Sequence, residues 1–225
     1  MHPQIEAFVD NIAERIAAEP DLDDFLTWTA GTLEYWVHIV ASSVGRRIGW
    51  ASTTEVPYIT GSPALGTKTD TKWADGAAVL SGSVGVLLEV KTIPARYSVP
   101  GPTMKKIPAD LAALVSADWQ RTLEQLPDDY SGAAWKERRA QMDAVYGLQL
   151  ALVHGEVDVT KIDVGVRTGI DAGLQILAHR YPTPPEPAWL RIVHEAFLGG
   201  DRMRRVISGR YTNSVLYAWS APIPR

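Results

Sequence analysis

Two short apolar segments separated by a three-residue link constrain the fold of this chain more than any other feature. Residues Ala77–Leu80 and Val84–Ile93 are rich in Val, Leu and Ala, and Ser81-Gly82-Ser83 lies between them. Apolar runs joined by so short a Gly- and Ser-containing link are typical of a β-hairpin. The sequence therefore predicts two neighbouring antiparallel strands here, and the remaining elements must pack around them.

Helical patterns occur on both sides of this hairpin. Residues 4–19 carry apolar side chains at steps of three and four, which predicts a helix, and a second helix is predicted from Asp21 or Asp23 to about Val44. The elements predicted beyond these are a loop over 45–71, an extended loop over 94–108, helices over 109–126 and 133–153, a strand over 161–168, a helix over 170–179, a stiff proline-rich linker over 182–187, a helix over 188–198 and a last apolar strand over 214–219.

This order of elements predicts an α/β or α+β domain, in which a central mixed sheet is flanked by helices. The chain has 225 residues, a length that suits one large domain. We expect a single domain over 1–225, with its core at about 21–180. Extra helical segments are expected at both ends, the C-terminal one over about 188–225.

Composition excludes several classes of protein. The chain has no Cys, so a disulfide framework, a thiolate zinc site and a cysteine nucleophile are all excluded. Its net charge of −4 argues against a wholly basic nucleic-acid binder. The apolar stretch Val84–Val90 is too short to span a bilayer, and the N-terminus lacks the features of a signal peptide. We therefore expect a cytoplasmic protein that does not associate with membranes.

Two charged residues, Glu89 and Lys91, interrupt the second predicted strand. Strand alternation places both on one face, where burial is costly unless the charges are paired or bound to a metal. Asp75 precedes the first strand, so the hairpin could bring its carboxylate beside Glu89. Two converging carboxylates repel each other unless a divalent cation lies between them, and hard oxygen ligands suit Mg²⁺. Lys91 could then orient or deprotonate a water molecule.

The spacing of an acid two residues before a lysine is not specific by itself. A second match, Asp70-Thr71-Lys72, lies in a polar stretch and lacks a preceding strand. The alternative interpretation of Glu89 and Lys91 is an ion pair at a sheet edge, where charged residues deter aggregation.

The pattern Asp75-x13-Glu89-Val90-Lys91 resembles the catalytic core of the PD-(D/E)XK nuclease superfamily, although Ala74 stands where the family has a proline. The resemblance implies a restriction-endonuclease-like core of a helix, three strands, a helix and a strand. It also implies a Mg²⁺ or Mn²⁺ cofactor and hydrolysis of phosphodiester bonds. The implied ligands are Asp75, Glu89 and the backbone carbonyl of Val90, with Lys91 acting on the attacking water. The resemblance covers about residues 30–168.

Further site residues follow from the same resemblance. Many members carry a Glu on the preceding helix, which makes Glu34 a candidate metal ligand, or else an ordinary solvated helix residue. His38 lies one turn further on and could contact Glu34 or a phosphate. A looser resemblance to RecB-like members assigns Gln141 and Tyr146 to the helix after the Glu-x-Lys strand. The alternatives are a surface polar residue for Gln141 and a core aromatic for Tyr146.

Basic side chains outside this core are candidate phosphate contacts. They are Lys105, Lys106, Arg202, Arg204 and Arg205. The resulting expectation is a Mg²⁺-dependent nuclease acting on DNA rather than RNA, in restriction, defence or repair, as a homodimer or a subunit of a larger complex. The alternative is a nuclease-fold subunit that binds nucleic acid or serves assembly, with little or no catalysis.

Overall fold

A computed structural model of the chain describes residues 2–19, 30–52, 55–60, 70–94, 142–155, 188–192, 205–207 and 210–223, and in addition residues 110, 113–114, 117, 137–138 and 178. The described elements are, in chain order, helix α1 (Pro3–Ala17), helix α2 (Ala30–Ile48), and strands β1 (Gly49–Ala51), β2 (Val56–Thr60), β3 (Asp70–Ala74), β4 (Gly76–Leu80), β5 (Val84–Pro94), β6 (Ala144–Gly155), β7 (Ala188–Ile192), β8 (Arg205–Ile207) and β9 (Arg210–Pro222).

Most of the described strands form one mixed sheet, whose order is β1-β4-β5-β6-β9-β7, with β8 pairing with β9 off this path. Strands β4 and β5 form the antiparallel hairpin, and residues Ser81 and Gly82 in its turn have positive φ angles of 47° and 83°. Strand β6 runs parallel to β5, and β9 is antiparallel to β6 on its other side. Strands β2 and β3 form a separate antiparallel pair. The architecture is α+β, with the parallel pair β5–β6 near the centre of the main sheet.

Helices α1 and α2 cover one face of this sheet. The N-terminus of α1 is capped by His2, whose Nδ1 accepts a hydrogen bond from the Gln4 backbone N–H, and Pro3 occupies the first turn, where its missing N–H costs nothing. The apolar side chains of α1 are buried against α2, and α2 packs over alternate residues of β5, which are Val84, Val86, Leu88 and Val90. Neither described helix is long and apolar enough to cross a membrane.

The other face of the sheet holds a second apolar cluster. Leu87 of β5 belongs to it, together with Val79 of β4 and Tyr58 of β2. Because side chains alternate along a strand, Glu89 and Lys91 project to the side of Leu87, away from the layer of Leu88 and Val90. Glu89 and Lys91 therefore project from the sheet face that α1 does not cover.

The structure confirms the helix at the N-terminus and the hairpin of residues 77–93. The predicted loop over 45–71 is wrong, because α2 continues to Ile48 and is followed by β1, β2 and the start of β3. The predicted helix over 133–153 is wrong over residues 144–153, which belong to β6, whereas the described residues Glu137 and Arg138 are helical. An almost continuous apolar run suits a central strand that is buried on both faces, and this burial overrides the helical spacing of Val145, Leu148 and Leu152.

The prediction of a helical C-terminal extension is wrong for the described residues, although the last apolar strand predicted over 214–219 is confirmed as part of β9. Residues 188–192 form strand β7 instead of a helix, and β9 pairs along its length with the central strand β6. The C-terminal segment therefore belongs to the main sheet, and the core is not confined to residues 21–180. The predicted strand over 161–168 and nearly all of the predicted helix over 170–179 lie outside the described residues.

Candidate active site

Asp75 directly precedes β4 and lies where the β4–β5 ladder ends, beside the part of β5 that extends beyond β4. The last pair in the β4–β5 ladder joins Gly76 to Leu88, whereas β5 runs on to Pro94 paired with β6. Beyond Leu88, Asp75 Oδ2 accepts a hydrogen bond of 2.6 Å from the Val90 backbone N–H. The Asp75 carboxylate thus accepts the hydrogen bond that the backbone of a longer β4 would accept from Val90. This position is available because β4 ends before β5 does.

The backbone carbonyl of Val90 faces the same edge. In an extended strand, the N–H and C=O of one residue point to the same neighbour, and the Val90 N–H is held by Asp75. The Val90 carbonyl oxygen accepts a hydrogen bond of 3.1 Å from Lys91 Nζ. The Asp75 carboxylate and the Val90 carbonyl oxygen therefore lie together beside the Lys91 ammonium.

Lys91 lies among carboxylates from three parts of the chain. Its Nζ is 2.5 Å from Glu89 Oε1, 3.5 Å from Glu34 Oε1 and 3.8 Å from Asp110 Oδ2. The Glu89 and Lys91 side chains are only 12% and 16% exposed, so water screens this interaction weakly. The structure thus brings Asp75, Glu89 and Lys91 to one end of the β4–β5 ladder and places Glu34 beside Lys91.

The carboxylates of this cluster outnumber its cation, and the pKa values reflect the imbalance. Burial, reinforced by the charge of Asp75, raises the pKa of Glu89 to about 7 despite the opposing effect of Lys91. Burial also raises the pKa of Glu34, although Lys91 and an N–H bond from Thr92 favour its ionised form. Burial disfavours the charge of Lys91, but the attraction of Glu89, Glu34 and Asp75 outweighs it and raises the Lys91 pKa. Lys91 is therefore an ammonium at neutral pH.

The His38 side chain is buried beside Gly76 and does not lie at the exposed surface. Its ring is buried, Nε2 has no hydrogen-bond partner among the described residues, and the ring meets Tyr35 edge-on at a centroid distance of 6.4 Å. Burial lowers the pKa of His38, although Asp75 and Glu55 favour its charged form. A buried, neutral imidazole does not supply a cationic phosphate contact, and the described contacts of His38 do not include Glu34.

Gly76 is required at its position because His38 packs against it. A Cβ atom on residue 76 would lie 2.8 Å from His38 Nε2, closer than a carbon and a nitrogen can approach. We expect Gly76→Ala to lower the free energy of unfolding by about 1–3 kcal/mol, the usual cost of overpacking. Most of this cost should disappear in the background of His38→Ala, because the clashing ring is then gone. Urea denaturation of the two single variants and the double variant measures the coupling, and additive effects would contradict the packing argument.

The oxygen donors around Lys91 are of the chemical kind that hard divalent cations take. Lys91 is surrounded by the carboxylates of Glu34, Asp75, Glu89 and Asp110. If all four were ionised, the cluster would have a net charge of about −3, and burial makes this state costly. Carboxylate oxygens and a backbone carbonyl are the donors that Mg²⁺ takes, and Asp75, Glu89 and Val90 supply them at one edge of the sheet. Within the described ranges, no group of three or more His, Asp or Glu side chains lies close enough together to hold a metal ion.

The other candidate residues are placed differently. Tyr146 lies on strand β6 and not on a helix, and its ring is 5.8 Å from that of His2, so the prediction of a helical position is wrong. It packs against the apolar layer beneath the helices, as the core alternative for this residue requires. Arg205 begins β8. The candidates that lie outside the described residues are Gln141, Lys105, Lys106, Arg202 and Arg204.

Two residues near the cluster are missing from the sequence-based prediction. Asp110 approaches Lys91 from the connection between β5 and β6, and no spacing rule marks it. Gln149 lies beside Glu89 in the β5–β6 register. It carries a signal of the same kind as Glu89, a polar residue inside an apolar strand, but the helical assignment of residues 133–153 conceals it.

Comparison with known proteins adds no constraint. No protein-family model matches the chain, and neither a curated protein nor a solved structure matches it. The function must therefore be inferred from the geometry of Asp75, Glu89 and Lys91 themselves.

Proposed function

We propose that this protein is a Mg²⁺-dependent nuclease that hydrolyses phosphodiester bonds of DNA, in restriction, defence or repair. The observation that carries the proposal is the hydrogen bond from the Val90 N–H to Asp75 at the end of the β4–β5 ladder. This bond fixes the Asp75 carboxylate beside the strand that carries Glu89 and Lys91. It does not depend on a contact between Asp75 and Glu89. If Glu89 and Lys91 were only an ion pair that protects a sheet edge, Asp75 would not be required beside them.

The order of elements supports a restriction-endonuclease-like core. Helix α2 is followed by the antiparallel strands β1, β4 and β5, with the β2–β3 pair inserted between β1 and β4. A connection over 95–143 then leads to β6, which pairs parallel with β5. The described residues Asp110, Ala113 and Leu114 in this connection are helical. The succession resembles the helix, three strands, helix and strand of the PD-(D/E)XK superfamily, with β6 as the final strand.

The proposed mechanism assigns separate tasks to the acids and to the lysine. Asp75, Glu89 and the Val90 carbonyl would hold Mg²⁺, with Glu34 beside them, and the bound ion would acidify water and offset charge on the scissile phosphate. The neighbouring carboxylates raise the pKa of Lys91 and so favour its ammonium form, which is not a proton acceptor. Its ammonium can orient the attacking water and stabilise the negative charge that develops on the phosphate. Of the two roles open to Lys91 on sequence grounds, we therefore favour orientation over deprotonation.

A cleavage assay with matched variants tests this function. The purified protein should cleave plasmid or single-stranded DNA in Mg²⁺ or Mn²⁺ and lose this activity in EDTA. Asp75→Asn preserves an acceptor for the Val90 N–H but removes a charge, so we expect a folded protein whose cleavage rate falls by at least about a hundredfold. Asp10→Asn makes the same change at an exposed position of α1 and should cleave at the wild-type rate.

The possible outcomes separate the two candidate functions. If wild-type protein cleaves no DNA in either metal but retards DNA in a gel, the role of a binding or assembly subunit replaces that of a nuclease. If Asp75→Asn cleaves as well as wild type, the site assignment is wrong. RNA of the same sequence, tested in parallel, decides whether DNA is the preferred substrate.

A further inference from the structure

Gln149 is a polar residue on an otherwise apolar central strand. It lies between Leu148 and Leu150 on β6, which both pack in the layer beneath the helices. Because side chains alternate, Gln149 projects to the opposite face, and its register partner on β5 is Glu89. Neighbouring strands are about 4.8 Å apart, so the Gln149 amide and the Glu89 carboxylate belong to adjacent positions on one face.

Both polar atoms of this amide are buried without a partner among the described residues. Gln149 is fully buried, and neither its Oε1 nor its Nε2 forms a hydrogen bond with this part of the chain. Leaving a buried donor or acceptor unsatisfied costs about 1–3 kcal/mol, and most buried polar groups in folded proteins are paired. An apolar side chain of the same size would fill this position at lower cost, so the amide requires an explanation other than packing.

The environment of Glu89 offers that explanation. Its carboxylate accepts a hydrogen bond from Lys91 Nζ, and the same ammonium also approaches Glu34 and the Val90 carbonyl. If Lys91 turns to a water molecule or a phosphate, as the proposed function requires, Glu89 loses this donor. Gln149 holds two unused N–H donors at the neighbouring position of the same face.

We propose that Gln149 is a positioning residue, whose side-chain amide donates a hydrogen bond to Glu89 when Lys91 leaves it, and so fixes the carboxylate for metal binding. The inference rests on the proposed function. Groups that orient a metal ligand commonly contribute a factor of about 10 to 100 to metal affinity. The amide is neutral, so it can hold Glu89 without competing for it as a cation would.

Binding of Mn²⁺ and Mg²⁺ to Gln149→Met, measured by calorimetry, tests this role. Met has nearly the same length as Gln and no polar donor. We expect the affinity for both metals to fall about tenfold or more. The melting temperature in EDTA should be unchanged or higher, because an unsatisfied buried amide is removed. A residue with a merely structural role would show the reverse, with lower stability and unchanged metal affinity.

Ser220 provides a matched control. It is also buried, and its hydroxyl also lacks a partner within the described part of the chain. Its register partner is Leu148, so it projects to the opposite face from Gln149. Ser220→Ala should bind both metals with wild-type affinity. A second measurement covers the case in which Gln149→Met does not fold. In the NMR spectrum of wild-type protein labelled with ¹⁵N-glutamine, the side-chain amide signal of Gln149 is identified by its absence from the spectrum of Gln149→Glu. This signal should shift when Mg²⁺ is added.

The outcomes distinguish this inference from the proposed function. If wild-type protein binds metal and Gln149→Met binds it equally well, or the Gln149 signal does not move, the positioning role is wrong and the nuclease proposal stands. If wild-type protein binds neither Mg²⁺ nor Mn²⁺ at millimolar concentration, both proposals are wrong.

Discussion

Replacing Lys91 by Met is expected to reduce DNA cleavage by about a hundredfold to a thousandfold, the range observed when a charge-stabilising donor is removed from an active site. Metal affinity should be unchanged or higher, because the variant removes a cation that competes for the same carboxylates. A nuclease assay and a Mn²⁺ titration measure the two effects separately. This combination separates Lys91 from the metal ligands, whose loss should reduce both properties together.

The same variant should also be less stable in the absence of metal. Lys91 is the ammonium that Glu89, Glu34 and Asp110 share, so its removal takes this counter-charge from the largely buried Glu89 and from two partly exposed carboxylates. Breaking a buried ion pair from one side costs about 3 kcal/mol or more. We expect this loss in the free energy of unfolding at pH 7 in EDTA, with partial recovery on addition of Mg²⁺ because binding stabilises the folded state.

Lys72→Met makes the same substitution at an exposed position of β3 and should change neither cleavage nor metal binding. If Lys91→Met cleaves DNA at the wild-type rate, Lys91 is a structural counter-ion only, and the resemblance of Glu89-Val90-Lys91 to a nuclease motif is a coincidence of spacing.

Local patterns were sufficient to predict part of the fold and most of the cluster. The hairpin follows from two apolar runs and a three-residue link, and alternation within β5 is enough to place Glu89 and Lys91 on one face. Helix α1 follows from the spacing of Ile5, Phe8 and Ile12. These features depend on residues close together in the chain, so tertiary contacts have little opportunity to override them.

Strands β6 and β7 could not be identified in the same way. Their apolar residues are consistent with either a helix or a strand, and the choice depends on partners far away in the chain. Strand β6 is stabilised by β5 on one side and by β9 on the other, and β9 begins more than fifty residues after β6 ends. A pattern within β6 alone carries no information about these neighbours.

The atomic arrangement of the cluster also depends on three-dimensional structure. The sequence indicates that Asp75 and Glu89 come close, but not that Asp75 binds the Val90 N–H, since this follows from the ladder ending at Gly76. Asp110 enters from the connection between the parallel strands, and Gln149 enters through the β5–β6 register. Both positions result from long-range pairing.

Replacing Glu89 by Gln is expected to abolish metal-dependent cleavage and, in EDTA at alkaline pH, to stabilise the protein. The pKa of Glu89 is raised from 4.5 to about 7 in the folded state. The protonated carboxyl therefore favours folding below pH 4.5, and this contribution is lost as the pH rises through 7. A shift of this size corresponds to a stability difference on the order of 3 kcal/mol, which Gln avoids because it has no proton to lose.

Urea denaturation of wild type and Glu89→Gln in EDTA should thus give similar stabilities near pH 4.5 and a more stable variant at pH 8. In calorimetry, the Mg²⁺ affinity of wild type should rise between pH 5 and 8, because Glu89 must ionise to act as a ligand, whereas the variant should bind weakly throughout. Glu14→Gln removes the same charge at an exposed position of α1 and should keep the wild-type behaviour in both experiments. A Glu89→Gln protein that is less stable than wild type at pH 8, or that binds Mg²⁺ equally well, would show that Glu89 is a structural partner of Lys91. Higher stability combined with lost metal binding would show instead that folding stability is sacrificed at this position to keep a carboxylate available for the metal.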